Sequence, residues 1–454
     1  MGYRSIHPTV ACPLSYRITA PQSLTGMYGL EIYNMKEATM IKRTYLPILF
    51  LCIAVFIVPS CDTSKQRDIV AENFEFAAQQ LLYATELADE AVVNDSRDSR
   101  TKANRPLVSP RTMDEDGSLV MVPAWDWTSG FFPGELWFMY EYFNDSKWEE
   151  LAIRFTDPLE GQKKNRGTHD LGFMIYNSFG NGLRLSDTPN YSEIIMEAAH
   201  TLTSRYTPNA KVIRSWDFNR DVWRCPVIID NMMNLEMLFW AFKQSGDSTF
   251  YDIAVNHANT TMENHFREDY GTWHVIDYDT ITGEVLHRHT HQGYDDESTW
   301  SRGQAWGLYG FTMMYRETKD ANYLELARNI ANFIFTHPNL PEDLIPYWDY
   351  DVPNISNEPR DVSAATITAS ALYELSTMGG DKADSYKEWA DIILTNLTDN
   401  YRATLGSDAG FLLLHSTGAK SLNSEIDVPL VYADYYFLEA LLRKSRLESN
   451  FPIH

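Results

Sequence analysis

Cysteine is scarce in this chain. Its 454 residues include four, and Cys12, Cys52 and Cys61 lie near the start, leaving Cys225 alone in the body. That excludes a disulfide framework there, and with no Cys-x-x-Cys pair it excludes the usual zinc clusters. Cys225, among apolar neighbours, is expected to be a small buried hydrophobe. Positive charge is also short. Lys and Arg number 38 against 62 Asp and Glu, a net charge of −24, which argues against nucleic acid and against a polybasic membrane surface. No apolar run is long enough to span a bilayer. The run Tyr45–Val58 falls short of the roughly 20 residues that a ~30 Å hydrocarbon core demands.

What is present begins with a leader. Met40-Ile41-Lys42-Arg43 supplies a basic start, Tyr45–Val58 a short apolar segment, and Pro59-Ser60-Cys61 a small residue before cysteine. Together they have the form of a bacterial lipoprotein signal. The expected organisation is therefore residues 1–39 as a mis-called extension, 40–60 as signal peptide, 61–72 as tether and 73–450 as one domain. Cys61 is the expected lipidation site, so the protein is expected to be an exported lipoprotein, periplasmic or anchored to the outer membrane of a Gram-negative bacterium. Beyond the leader, 44% hydrophobic and 13% aromatic residues provide a large core and exclude disorder for most of the chain. Twelve Trp and 26 Tyr suit a carbohydrate cleft, but an aromatic-rich core gives the same count.

From about residue 73 a pattern repeats. A Gly- or Asp-marked turn opens an apolar helix, and after a short loop an amphipathic helix follows. The apolar members open near Gly130, Asp170, Asp230, Arg302, Asp361 and Asp427. The amphipathic ones are Ser146–Phe155, Tyr191–Tyr206, Ser248–Phe266, Asn322–Thr336 and Lys382–Tyr401. With Asn73–Val92 as an opening outer helix this makes six inner and six outer helices. A period of roughly 40–70 residues in paired helices denotes a helical array. Inner helices apolar nearly all round suit a closed toroid better than an open solenoid. The predicted fold is all-α, an (α/α)6 toroid, with Thr272–Asp279 and the loop to Ser298 as a hairpin and insertion over one mouth.

In such a toroid the inner helices run parallel, so their N-termini share a mouth. Converging N-termini carry partial positive charge and free N–H groups. That local field can hold an anion despite the net charge, because distant exposed charges are screened within about 10 Å. Asp170 and Asp230 come from adjacent inner helices and can face each other. Sugar-active sites use such pairs, one carboxyl protonated and one ionised. Either can equally be a helix N-cap, and Asp230, after Val227-Ile228-Ile229 and opening a helix over 231–242, fits that description well. His169 adjoins Asp170, and Trp125-Asp126-Trp127 precedes the first inner helix. Alternate histidines in His287-Arg288-His289-Thr290-His291 would share one face of a strand. No acid–His pattern completes a ligand set, so no metal and no cofactor is expected. Arg302, at a helix start between Trp300 and Trp306, can grip a carboxylate bidentately or be salt-bridged to a neighbouring Asp.

These segments together resemble glycoside hydrolase family 88, the unsaturated glucuronyl hydrolases. The matching residues are Trp127-Thr128-Ser129-Gly130-Phe131 with Pro133-Gly134, His169-Asp170-Leu171-Gly172-Phe173, Ile229-Asp230-Asn231 with Asn234-Leu235, Thr290-x-Gln292-Gly293, and Trp300-x-Arg302-Gly303-Gln304-Ala305-Trp306-Gly307. The resemblance implies the toroid and an unusual reaction. A 4,5-unsaturated uronic acid is removed from the non-reducing end of a lyase-generated oligosaccharide by hydration of its C4=C5 vinyl ether. By this likeness Asp230 is the general acid/base and Asp170 raises its pKa and holds ring hydroxyls. His169, His274, Thr290, Gln292, Arg302 and Trp306 line the uronate subsite, with Trp127, Trp300 and Trp306 as stacking platforms. The partner it implies is thus an unsaturated uronyl oligosaccharide. The loops Tyr347–Arg360 and His415–Ser424 are expected on the far side of the cleft, with Arg288, Arg360 and Lys420 as cations able to meet a sulfate. The acidic balance leans towards a saline habitat and an ulvan-type substrate. Three alternatives stand beside this reading: an unsaturated rhamnogalacturonyl hydrolase of the same fold, a glycan-binding surface lipoprotein without activity, and an inverting glycosidase acting on saturated sugars.

Overall fold

The sequence dictates its outer helices through their caps. Asp68, Asp145, Asp247 and Asp320 each accept a backbone N–H in the first turn of the helix that follows, satisfying donors that the helix itself leaves free. In a computed structural model that describes residues 67–453, these caps open the outer helices Ile69–Val93, Ser146–Thr156, Ser248–Asn264 and Ala321–Thr336. Tyr191–Thr203 and Ala383–Asn396 complete the outer set. The first of them starts inside the stretch 61–72 expected as a tether, because Asp68 accepts from the Ala71 N–H at 3.0 Å. The expected extension, signal segment and Cys61 lie outside the described residues.

The inner ring is Phe131–Phe143, Gly172–Leu185, Ile229–Ser245, Ser301–Thr318, Val362–Ser376 and Val431–Glu448. Each packs against the next, and the last closes onto the first. The fold is therefore an (α/α)6 toroid. Inner helices are buried almost all round: in Val362–Ser376 every residue but the last is buried, as expected of helices enclosed on every side. Two inner elements are irregular at the end that carries chemistry. The second is wound as a π-helix over Gly172–Gly180 before Asn181–Leu185. The third starts as a 3-10 turn over Ile229–Asn234, and its α-helix, Leu235–Ser245, begins four residues later than the periodicity predicts.

Close approach of these elements requires glycine. A Cβ on Gly130 would lie 2.2 Å from the Phe173 carbonyl oxygen, and one on Gly172 would lie 2.7 Å from the Asn234 Cα. Such contacts are far inside van der Waals range. The Asn234 side chain then accepts the Phe173 N–H at 3.1 Å and locks the second inner element to the third.

The expected hairpin forms, and it belongs to a sheet of three. Val275–Tyr278 and Val285–His289 are joined by Pro226–Ile228, all antiparallel. Val227 and Ile228, expected only as a lead-in to a helix, are strand. Cys225, just before it, is buried and lies with Val212, Val227, Ile276 and Tyr278.

Candidate active site

Strand register places the first part of the site. Ile228 pairs with Val275, and the Ile229 N–H donates to the His274 carbonyl at 3.2 Å. His274 is thereby fixed beside Asp230. Neighbouring residues on the next strand carry the chain past His289 into the turn at His291 and Gln292, whose backbone N–H groups donate to His274 Nδ1 at 3.1 and 3.2 Å. Burial holds the His274 pKa well below the usual imidazole value, so the ring is neutral. With Nδ1 an acceptor, the proton sits on Nε2, which faces Asp230 Oδ2 at 3.6 Å.

Asp230 does not cap its helix. Its Oδ2 is buried without a hydrogen-bond partner, and the helical turn it belongs to has no side-chain cap. Burial pushes its pKa up to about 6, against the opposing pull of Arg302 and His169, and the Asp170 charge adds only a minor rise. Asp170 behaves oppositely. Burial would raise it too, but His169 Nε2 at 3.0 Å from its Oδ1 and Thr168 Oγ1 donating at 2.5 Å hold it below the usual carboxylate range. Two carboxyls of one cleft are thus driven apart in acidity, one poised to carry a proton and one kept charged. The expectation that Asp170 raises Asp230 gives way to desolvation as the dominant cause.

The cleft itself has a volume of about 340 Å³. Of the sequence-predicted residues, Trp127, His169, Asp170, Asp230, Gln292 and Arg302 line it. Others do not. Trp306 is 0% exposed and packs between Phe173 and Tyr436, and Trp300 is 2% exposed beneath the Arg302 guanidinium. Both rings are enclosed by packing, and neither lines the cleft. His274 lies behind Asp230 instead of lining the cleft. Thr290 is also set back, its hydroxyl accepting the Gly293 N–H at 2.8 Å to shape the turn that presents Gln292. His287 and His289 rings lie 5.3 Å apart on the hairpin, whereas His291 turns into the cleft, so the three do not share a face.

Arg302 is held on several sides. It is buried, paired with buried Asp361 at 2.9 Å, and donates to the carbonyls of Thr417 and Gly418 at 2.7 and 2.5 Å. Of the two readings of Arg302, the salt bridge to a neighbouring Asp is the one this geometry displays. The inner helices bring their positive ends to this mouth, although the Phe173 N–H is taken by Asn234 Oδ1 and the Ser301 N–H by the Trp348 carbonyl. Phe131–Phe143, Gly172–Gly180, Ile229–Asn234, Ser301–Thr318 and Val431–Glu448 all start without a side-chain cap, and only Val362–Ser376 has one, from Asp361. What the converging helix ends offer an anion is therefore the field of their dipoles.

The loop His415–Ser424 touches two residues of this mouth. Gln292 Nε2 donates to the Gly418 carbonyl at 3.3 Å and Ser421 Oγ to the His291 carbonyl at 3.2 Å. Lys420 pairs with Glu358 and lies over Trp348. Arg360 is occupied by Asp343 and the Ile345 carbonyl, and Arg288 lies over Trp273 at 4.7 Å. Sequence reasoning missed Trp216 and Phe218, which line the cleft. Their signal is local: aromatic residues alternating with an acid in Ser215-Trp216-Asp217-Phe218.

Comparison with known proteins agrees with this geometry. Residues 102–325 match the model of Glycosyl Hydrolase Family 88. The chain is 52% identical over 343 residues to an unsaturated glucuronyl hydrolase of Formosa agariphila, covering 74% of this chain and 85% of the relative. It is 34% identical to an unsaturated chondroitin disaccharide hydrolase of Streptococcus agalactiae, covering 70% and 81%. Among solved structures, an unsaturated glucuronyl hydrolase specific for heparin superposes with a TM-score of 0.76 at 45% identity, covering 83% of this chain and 98% of that one.

Proposed function

Since the chain belongs to glycoside hydrolase family 88, we propose that this enzyme is an unsaturated glucuronyl hydrolase, taking a 4,5-unsaturated uronic acid from the non-reducing end of an oligosaccharide. The observation that carries the reading is the pair of buried carboxyls with opposite acidity, Asp230 raised and Asp170 lowered. Asp230, protonated, gives its proton to C4 of the vinyl ether. Water adds at C5, and its proton returns to the Asp230 carboxylate. The C5 hemiketal then opens to a ketone, and the hemiacetal left at C1 releases the remaining sugar. Asp170 stays ionised and accepts hydrogen bonds from ring hydroxyls, with His169 fixing its orientation. His274 Nε2 lies 3.6 Å from the Asp230 carboxyl. The substrate carboxylate is met by the uncapped helix starts, with the charge of Arg302 behind them.

The test follows the near-UV absorbance of the C4=C5 bond in lyase-generated oligosaccharides. The absorbance should disappear. Because the protonated Asp230 is the donor, kcat/KM should be high below about pH 6 and fall about tenfold per pH unit above it. Turnover of saturated but not unsaturated uronides, or a rate that climbs between pH 6 and 8, would sink the mechanism.

The finer reading is a sulfated, ulvan-type substrate. It is supported by the net charge of −24, which suits a saline habitat. In a panel of ulvan, chondroitin and heparin digests the ulvan product should have the highest kcat/KM, and a preference for an unsulfated product would reject the assignment. Export as a lipoprotein completes the proposal on the residues Met40–Cys61. Cells fed labelled palmitate should label the wild type and not Cys61→Ser, and an unlabelled wild type would refute anchoring.

A further inference from the structure

Asp170 ends a tight turn and Asp230 follows a strand, and these segments are well separated along the chain. One side chain from the outer layer joins them. Arg205 follows the outer helix Tyr191–Thr203 and precedes a short hairpin in which Tyr206 pairs with Ile213 and Thr207 with Val212. Its side chain is buried. Towards the Asp170 turn, its Nη1 donates to the Arg166 carbonyl. Beyond the hairpin, its Nε donates to the Arg214 carbonyl at 2.8 Å, and the Arg214 N–H donates back to the Arg205 carbonyl at 3.1 Å. The same Nη1 pairs at 2.9 Å with Asp217, a carboxylate that Arg214 and Arg220 also hold.

Each end of this clamp leads directly to a carboxyl. After Arg166 the turn is tight: Asn165 Oδ1 accepts the Gly167 N–H at 2.9 Å, and Thr168 Oγ1 accepts the Asp170 N–H at 3.1 Å. Little slack is left between the Arg166 carbonyl and Asp170. The connection from Arg214 is as short. The Asn231 side-chain amide donates to the Ile213 carbonyl at 2.7 Å. Next to Arg214, the Ser215 N–H donates to the Pro226 carbonyl at 2.8 Å and Ser215 Oγ accepts the Ile228 N–H at 3.0 Å. These bonds bracket Asp230 on both sides. A buried guanidinium is costly to desolvate, and neutralising Asp217 does not require it, because Arg214 and Arg220 already do so. What Arg205 adds is its fork, whose donors in fixed geometry can serve acceptors on separate segments at once.

We propose that Arg205 is a positioning residue for the hydration reaction: by joining the Arg166 carbonyl to the Arg214 carbonyl, it fixes the Asp170 turn against the strand that delivers Asp230. It does not line the cleft, and it acts through the two carboxyls. Its charge has a second effect. Burial would raise the Asp170 pKa, and His169, then Thr168, then Arg205 pull it down, with Asp230 the other acid of the same cleft. The guanidinium thus adds to what keeps Asp170 ionised. The proposal rests on the hydrolase reading above.

The experiment measures kcat and KM against pH on one unsaturated disaccharide for wild type, Arg205→Met, Arg205→Lys and Asp217→Asn. Methionine removes fork and charge, lysine removes the fork alone, and asparagine breaks the ion pair while leaving both carbonyl bonds. In Arg205→Met kcat should fall about a hundredfold, the loss expected of a displacement of about 1 Å, with KM little changed. Its acidic limb should move to higher pH, because Asp170 loses part of what holds its proton off. Arg205→Lys should give an intermediate kcat and keep the limb where the wild type has it, a split that simple loss of structure would not produce. Asp217→Asn should stay within about fivefold of wild type, since a partly exposed pair contributes little. A wild-type kcat in either Arg205 variant, an acidic limb that does not move in Arg205→Met, or a loss in Asp217→Asn as large as in Arg205→Met would overturn the clamp. If Arg205→Met does not fold, the lysine variant carries the test. If the wild type is inactive, the hydrolase reading fails separately, and hydrogen exchange reads the clamp. Faster exchange over residues 166–170 and 213–217 in Arg205→Met, with Val362–Ser376 unchanged, supports it, and equal exchange rejects it.

Discussion

Asp230→Asn should lower kcat on unsaturated uronides by about three orders of magnitude or more while leaving a folded protein. Positioned acid–base catalysis contributes roughly 10²–10⁴-fold in general, and here one carboxyl both gives the proton to C4 and takes one from water. The amide can do neither. The same substitution should stabilise the protein at neutral pH, and the sign follows from linkage. In the folded state the Asp230 pKa is raised from 3.8 to about 6, so the folded form binds this proton more tightly than the unfolded chain does. The group's contribution is fully present below about pH 4 and lost as pH rises through about 6. Two pKa units correspond to a cost on the order of 3 kcal/mol at pH 8, and asparagine removes it. Thermal melts should therefore place the variant above the wild type at pH 8 and level with it near pH 4. An active variant, or a melt order that does not depend on pH, would contradict the assignment. Beside Asp230, His274 is neutral and Asp170 is held ionised.

That Asp230 could be singled out from sequence, and His274's position could not, has a physical cause. Helix starts are local events. Asp68, Asp145, Asp247 and Asp320 announce outer helices by capping chemistry, and the predicted outer spans fall within a few residues of those observed. The ring order follows from the repeat, so two acids at adjacent inner starts are close by topology alone. Strand register is not local. Nothing in Val227-Ile228-Ile229 says that it pairs with Val275–Tyr278, and a run of three β-branched residues before a helix reads equally as a strand or a lead-in. His274's tautomer, set by the His291 and Gln292 N–H groups, depends wholly on that pairing. Trp300 and Trp306 illustrate a different loss. A tryptophan on a helix enclosed on every side gives no sign of which wall it faces, and both turn into packing. Trp216 and Phe218 were legible in principle, as aromatics alternating with an acid that three arginines hold, but alternation over four residues competes with the same pattern in any half-buried strand.

Arg302→Met separates stability from substrate binding at a buried cation that lines the cleft. Asp361 is fully buried opposite it, and removing one partner of a buried pair costs about 3–5 kcal/mol because the other charge stays uncompensated. The expected result is a large drop in the denaturant midpoint. Asp361 also accepts the Ser363 N–H and hydroxyl, which keeps the loss from being total. Adding Asp361→Asn should recover most of the stability, since no charge is then left buried alone, and the cycle measures the coupling. Activity should not recover with it. Arg302 lowers the Asp230 pKa in the wild type, so without it Asp230 should hold its proton to higher pH. In Arg302→Met the basic limb of kcat/KM should therefore move upward, and KM for the anionic substrate should rise by about tenfold. Should the double variant regain wild-type KM along with its stability, Arg302 is a strut alone and the helix starts hold the uronate. Should KM remain high in a stable double variant, the guanidinium contributes its charge to the substrate while its hydrogen bonds belong to Asp361, Thr417 and Gly418.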